Sequence, residues 1–98
     1  MAIQSFADSA LQDFFETGKL SKKRVGWLQV KKLVLRKLDL LHYAHVLSDL
    51  QSPPGNRLEA LKGDLKGFCS IRINDQWRLV FLWGHQGPEK VQVMDYHR

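Results

Sequence analysis

Several features that mark other protein classes are scarce or missing in this sequence. The single cysteine, Cys69, cannot form an internal disulfide, so nothing indicates an oxidising compartment. No apolar run is long enough to cross a bilayer, and residues 1–8 lack the basic and apolar segments of a signal peptide. We therefore expect a cytoplasmic protein that does not associate with membranes.

The usual signatures of metal and cofactor sites are also missing. No glycine-rich segment ends in Gly-Lys-Ser or Gly-Lys-Thr, so no phosphate-binding loop is predicted. His42 and His45 lie three residues apart, but no third ligand accompanies them at a convincing spacing. Cys69 falls on the apolar face of a predicted strand, which favours a small core residue over a nucleophile. We expect neither a metal nor a cofactor.

Length and composition indicate one ordinary globular domain. The chain has 98 residues, of which 44% are hydrophobic and 26% charged. A disordered tail would have fewer apolar residues, and a chain of this length is near the low end for a self-sufficient core. We expect a single domain over residues 1–98.

Negative charge is absent from one long segment. No acidic residue lies between Lys19 and Lys37, and this segment holds eight of the fifteen lysines and arginines in a chain of net charge +5. A block of one sign raises the local potential and favours polyanions such as RNA. A solvated helix face in a mildly basic protein is the alternative, and charge alone does not separate the two.

The first half of the chain has a helical pattern. A short strand over residues 3–6 is followed by a helix that Asp8 or Ser9 can cap and that Gly18 can end. A longer helix is predicted from about Val25, because apolar residues recur on one face: Trp27, Val30, Val34, Leu38 and Leu41. The proline-rich segment 52–56 breaks this pattern.

After the break, the period changes to that of strands. Strands are predicted over residues 57–61, 68–73, 77–83 and 91–96. The fold class is therefore α+β, with two N-terminal helices packed on one face of a small, mainly antiparallel sheet.

The register of the central hairpin follows from its apolar residues. A three-residue loop over 74–76 puts Ile71 opposite Leu79 and gathers the apolar side chains on one face, whereas a two-residue loop scatters them. Arg72 and Arg78 then share the other face and lie opposite each other. Two like charges in this arrangement destabilise a sheet unless an anion or carboxylate lies between them. The register therefore predicts an anion-binding face.

The C-terminal residues carry groups suited to RNA cleavage, which needs a base, an acid and cations for the phosphate. His97 can act as acid or base near neutral pH, or it can be a frayed terminal residue. Tyr96 can stack on a base or simply pack. Asp95 can orient the imidazole or pair with Arg78. Lys62 can hold a phosphate or remain solvated.

The chain resembles the HigB toxins, which belong to the RelE superfamily of bacterial type II toxin–antitoxin systems. Three segments carry the resemblance: Arg57-Leu-Glu-Ala-Leu-Lys-Gly-Asp64, then Gly67-Phe-Cys-Ser-Ile-Arg-Ile-Asn-Asp-Gln-Trp-Arg-Leu-Val-Phe81, and Val91-Gln-Val-Met-Asp-Tyr-His97. The resemblance implies the RelE-like (microbial RNase-like) fold with a curved sheet. It also implies a ribosome-dependent endoribonuclease that cuts mRNA in the ribosomal A site by 2′-hydroxyl attack, with no cofactor.

The resemblance also implies partners and residue roles. The partners would be a HigA-type helix-turn-helix antitoxin, the ribosome and mRNA, with operator DNA bound only through the antitoxin complex. Lys62 and Arg78 would contact the scissile phosphate, and residues 95–97 would form the catalytic cluster. The residues expected to contact RNA are Lys22, Lys23, Arg24, Lys31, Lys32 and Arg72.

One position departs from the family pattern. Some members carry a catalytic histidine where this chain has Glu59, which could act as the base or face solvent. A second hypothesis therefore stays open: a basic module that binds RNA, DNA or an acidic partner without catalysis. Binding alone would depend steeply on salt and would survive loss of His97.

Overall fold

Two helices lie against a four-stranded antiparallel sheet in the computed structural model, which describes residues 2–20 and 25–96. The helices are α1 (Ser9–Thr17) and α2 (Lys31–Tyr43). The strands are β1 (Glu59–Ala60), β2 (Phe68–Arg72), β3 (Trp77–Gly84) and β4 (Gly87–Asp95), and they lie in the sheet in that order. The predicted α+β class is confirmed.

Helix α1 begins and ends where its capping residues predict. The carboxylate of Asp8 accepts a hydrogen bond from the backbone N–H of Ala10 at 2.9 Å. At the other end Gly18 has φ = 75°, in the left-handed region, and donates its N–H to the carbonyl of Phe14. Neither α1 nor α2, nor any other helix among the described residues, is long and apolar enough to span a membrane.

Helix α2 starts later than predicted. It begins at Lys31, after a 3₁₀ turn over Leu28–Val30, and not near Val25. The backbone at Gly26 lies on the indole of Trp77, so close that a Cβ atom there would be 2.7 Å from the ring. In this segment the N–H of Leu28 donates to the carbonyl of Val25 and that of Val30 to the carbonyl of Trp27, so the chain makes tight turns before the α-helix begins.

The strand boundaries differ from the prediction at both edges of the sheet. Residues 3–6 form only an isolated parallel bridge, Phe6 with Val91, and the predicted strand 57–61 is reduced to β1. Strand β4 starts at Gly87, four residues early, because a two-residue turn joins it to β3. A register shift near Lys90, whose φ is 52°, divides β4 and hides its first half from the sequence pattern.

The predicted hairpin register is confirmed. Ile71 pairs with Leu79 and Arg72 pairs with Arg78, and Ile73 donates its N–H to the carbonyl of Trp77 at 2.9 Å. Because side chains alternate along a strand, this register sends the apolar residues to one face and both arginines to the other.

The apolar face of the sheet and the two helices enclose the core. Leu38 of α2 is fully buried, and it belongs to a cluster with residues of α1 and the sheet. The other members include Leu11, Phe14, Val34, Leu41, Ile71, Leu79, Phe81 and Val91. The helices therefore cover one face and leave the opposite face of the sheet to the polar residues.

We predict that truncation to alanine will lower the free energy of unfolding by different amounts at two leucines. Leu38→Ala should lower the free energy of unfolding by about 2–5 kcal/mol, because it leaves a cavity in the core. Leu28→Ala is the matched control: Leu28 is 38% exposed, so its truncation should lower the free energy of unfolding much less. Urea denaturation of both variants measures the difference, and equal losses would contradict this description of the core.

Candidate functional site

The face of the sheet away from the helices opens into a hollow of about 470 Å³. Its lining combines three guanidinium groups, two carboxylates, an amide and a phenol. These belong to Arg57, Glu59, Arg72, Asn74, Asp75, Arg78 and Tyr96. The residues come from the segment before β1, from the strands β1, β2 and β3, from the loop between β2 and β3, and from the position just after β4. Residues from across the whole sheet therefore form the site.

Arg78 lies at the centre of this arrangement. Its Nε–H donates to the hydroxyl of Ser70 at 2.8 Å, and its Nη2 donates to the carbonyl of Arg57 at 2.5 Å and to that of Ser70 at 3.3 Å. Such contacts fix the plane of the guanidinium. One edge of the group is therefore held by the protein.

Arg78 is buried although it carries a charge. The residue is 8% exposed, and burial lowers the pKa of its guanidinium from the ordinary value, while the charge of Glu59 acts in the opposite direction. An arginine nevertheless stays protonated in a protein. A charge withdrawn from water in this way attracts an incoming anion more strongly than a fully solvated one.

Glu59 and Tyr96 lie next to this charge. The Arg78 guanidinium carbon is 5.4 Å from the centre of the Tyr96 ring, in a cation–π arrangement. The Tyr96 hydroxyl donates to the carboxylate of Glu59 at 3.3 Å. Glu59 pairs with Ser70 across the strands, so its side chain lies on the same face as the arginines. A carboxylate, a phenol and a guanidinium are thus neighbours in one hollow.

Part of the repulsion between the paired arginines is relieved within the chain. Arg72 donates to the carboxylate of Asp75 at 2.5 Å, and this interaction lowers the pKa of Asp75, with a smaller contribution from Arg57. The Asp75 side chain is fully exposed, so the pair is open to water and readily exchanged. An anion entering the hollow can compete for Arg72.

The loop between β2 and β3 is fixed by its own side chain. The Oδ1 atom of Asn74 accepts hydrogen bonds from the backbone N–H groups of Gln76 at 2.9 Å and Trp77 at 2.8 Å. An asparagine that bonds the backbone two and three residues later stabilises a turn. The loop therefore holds Asp75 beside Arg72.

The other predicted site residues lie at different positions. Within the described ranges, Lys62 and Asp95 do not line the hollow: Lys62 is exposed, and Asp95 accepts a hydrogen bond from the Gln76 amide at 3.2 Å. Lys31 and Lys32 are exposed at the start of α2. His97 and the predicted RNA contacts Lys22, Lys23 and Arg24 lie outside the described residues. The roles of all these residues stay predictions.

Arg57 lines the hollow but was not singled out from the sequence. Its φ of 47° is left-handed, which is uncommon for a residue with a side chain and is often found at functional sites. It follows a 3₁₀ turn over Pro54–Asn56. The two prolines and glycine before it indicate a turn, but they do not indicate that its carbonyl contacts Arg78.

Other candidate groups have structural roles. His42 Nδ1 accepts a hydrogen bond from the N–H of Ile3 at 3.2 Å, and its ring lies 5.1 Å from that of Phe15. Burial raises the pKa of Cys69, so its thiol is protonated near neutral pH and suits a packing role. In the part of the chain that the structure describes, no group of three or more potential ligands could hold a metal ion.

Comparison with known proteins identifies relatives of this chain. The family model described as "RelE-like toxin of type II toxin-antitoxin system HigB" matches residues 4–97. Toxin HigB-1 of Vibrio cholerae is 46% identical over 83 residues, which cover 85% of this chain and 84% of that protein. An uncharacterized protein of Haemophilus influenzae is 36% identical over 78 residues, covering 80% of this chain and 75% of the relative.

A solved structure supports the fold. The YoeB/ParE toxin from Agrobacterium tumefaciens superimposes with a TM-score of 0.54 over 99% of this chain and 100% of its own, at 20% sequence identity. This likeness shows that the chain has the fold of that toxin. The chain belongs to the HigB-like toxin family of type II toxin–antitoxin systems, and this membership implies an antitoxin partner.

We predict that Ser70→Ala will destabilise the protein through Arg78. The substitution leaves the buried Nε–H without its hydroxyl acceptor, which should lower the free energy of unfolding by about 1–3 kcal/mol. In an Arg78→Met background the same substitution should cost about nothing, because no charged donor remains. Urea denaturation of the four proteins checks this coupling. Equal losses in the two backgrounds would show that Ser70 acts independently of Arg78.

Proposed function

We propose that this protein is a ribosome-dependent endoribonuclease that cuts mRNA in the ribosomal A site and so inhibits translation and growth. Membership in the HigB-like family supports the proposal, because the resemblance implies this activity. The observation that carries it is the close grouping of Glu59, Arg78 and Tyr96 in one hollow. These side chains supply a proton acceptor, a fixed cation and a surface for a nucleobase.

The reaction would be attack by the RNA's own 2′-hydroxyl on the adjacent phosphorus. The 2′-oxygen loses its proton and forms a bond to phosphorus, the bond to the 5′-oxygen breaks, and that oxygen gains a proton. The products are a 2′,3′-cyclic phosphate and a free 5′-hydroxyl. Negative charge grows on the phosphate oxygens during attack, so a cation fixed beforehand lowers the barrier. Arg78 suits this role because Ser70 and Arg57 already orient it.

Glu59 is our candidate for the base. Its carboxylate lies on the same face as Arg78, within hydrogen-bond distance of the Tyr96 hydroxyl at 3.3 Å. A carboxylate there could take the 2′ proton, and the phenol ring could stack on a base, as aromatic side chains do with unpaired RNA. Arg72 would add a second phosphate contact after releasing Asp75.

The remaining site residues complete the proposal. His97 would protonate the leaving 5′-oxygen, and Asp95 would orient the His97 imidazole. The family resemblance implies that both belong to the catalytic cluster and that Lys62 contacts the scissile phosphate. Lys22, Lys23, Arg24, Lys31 and Lys32 would contact ribosomal RNA through charge.

The mRNA would be the substrate, and the protein would bind it on the ribosome. The antitoxin would be a HigA-type protein with a helix-turn-helix. Operator DNA would be bound through the toxin–antitoxin complex. The protein would then act in the cytoplasm, where the ribosomes are. The antitoxin gene would then lie beside the gene of this protein.

Growth and cleavage assays test the site. Expression of the wild-type protein should arrest growth and create new mRNA 5′ ends, and Arg78→Ala and His97→Ala should each relieve the arrest. On ribosomes carrying mRNA, Arg78→Ala should slow single-turnover cleavage by on the order of a hundredfold or more. Melting temperatures should be measured for both variants. Unchanged toxicity in stably folded variants would exclude the assigned residues.

Glu59→Gln tests the base specifically, because it keeps the shape of the side chain and removes its charge. Cleavage should slow by about 10²–10⁴-fold. Glu16→Gln is the matched control: Glu16 is an exposed carboxylate on α1, and its loss should leave the rate unchanged. A Glu59→Gln rate equal to the control rate would remove Glu59 from the mechanism. Salt-sensitive ribosome binding with no new mRNA ends would favour the binding module.

A further inference from the structure

One buried polar side chain does not line the hollow but belongs to the residue just before Arg57, which does. Among the described residues, those buried with polar or charged side chains are Ser70 and Arg78, which belong to the site, and Asn56, which is fully buried. A buried amide is retained only when its hydrogen bonds are made. Its partners therefore indicate what Asn56 holds in place.

Asn56 connects helix α2 to the proline-rich turn. Its Oδ1 accepts a hydrogen bond from the ammonium of Lys37 at 2.5 Å. Its Nδ2 donates to the carbonyls of Leu50 at 3.1 Å and Ser52 at 3.2 Å. Lys37 is half-buried, and burial, with Arg36 and Arg72 nearby, lowers the pKa of its ammonium. Partial burial of the Lys37 ammonium costs desolvation free energy, whereas apolar packing could fix the loop without that cost.

The residue after Asn56 explains why that loop must be fixed. Arg57 has φ = 47° and ψ = 56°, a left-handed conformation that is strained for a residue with a Cβ atom. In this conformation its carbonyl accepts the hydrogen bond from Nη2 of Arg78 at 2.5 Å. If Arg57 relaxed to an ordinary conformation, its carbonyl would turn and Arg78 would lose an acceptor. The side-chain bonds of Asn56 oppose that relaxation.

We propose that Asn56, clamped by Lys37, is a positioning residue for Arg78: it holds Arg57 in the left-handed conformation that orients the guanidinium toward the hollow. Asn56 touches no substrate in this account and acts through the backbone of Arg57. The catalytic consequence rests on the proposed endoribonuclease function, whereas the positioning of Arg78 can be measured without it.

NMR of the Arg78 side chain tests the positioning directly. With Nη2 held by two carbonyls, the wild-type guanidinium should rotate slowly and show separate Nη hydrogen signals. Asn56→Ala should merge these signals by releasing the Arg57 carbonyl. Val91→Ala is the control for lost stability, since Val91 is fully buried in β4 and takes no part in these bonds. It should lower the melting temperature and keep the signals separate.

Cleavage kinetics on ribosomes carrying mRNA give the functional readout. Asn56→Ala should lower kcat by on the order of ten- to a hundredfold with little change in KM, because substrate contacts remain while the cation is misplaced. In an Arg78→Ala background, Asn56→Ala should have no further effect on kcat. Lys37→Met should lower kcat in the same direction, and it provides a second variant if Asn56→Ala does not fold. Lys66→Met, at an exposed lysine, is its control and should have no effect.

Three results would overturn the proposal. They are unchanged Arg78 signals in Asn56→Ala and Lys37→Met, equal signal loss in Val91→Ala, and independent effects of the Asn56 and Arg78 substitutions on kcat. If the wild-type protein does not cleave mRNA, the proposed function fails, and the NMR comparison still decides whether Asn56 positions Arg78.

Discussion

A charged guanidinium buried in a β-sheet is the constraint on which the rest of this structure depends. Arg78 is 8% exposed, and it is stable there because Ser70 and the carbonyl of Arg57 accept its hydrogen bonds. This requirement explains a buried serine in β2 and a left-handed residue before β1. Packing of the helices on the apolar face of the sheet stabilises the fold. The residues of the polar face hold the Arg78 guanidinium in a fixed orientation.

The parts of the fold that follow from local pattern could be predicted from the sequence. Asp8 and Gly18 set the ends of α1 through hydrogen bonds within a few residues of themselves. The hairpin register was fixed because Ile71 and Leu79 must both reach the core, and a slip of one residue would expose them. The same register placed Arg72 and Arg78 together on the opposite face.

What the sequence did not reveal depends on contacts between distant segments. Arg57 lies 21 residues before Arg78 in the chain, and its backbone carbonyl accepts a hydrogen bond from Arg78. The pattern of side chains in a sequence does not predict which backbone carbonyl will be such an acceptor. Asp75 forms its salt bridge with Arg72 only because the turn brings the two side chains together. The chain itself therefore supplies one of the negative charges expected near the paired arginines. Helix α2 likewise starts late, and just before it Gly26 packs on Trp77, a contact between distant segments that helical spacing does not indicate.

The proposed function requires that the buried Arg78 guanidinium contact the scissile phosphate. Its most direct test is an experimental structure of the protein on a ribosome whose mRNA carries a 2′-O-methyl group at the cleavage position, which blocks the reaction. The Arg78 guanidinium should lie within hydrogen-bond distance of that phosphate, and the Glu59 carboxylate should lie beside the blocked 2′-oxygen. RNA bound away from the hollow, with Arg78 still contacting only protein, would contradict the proposed function.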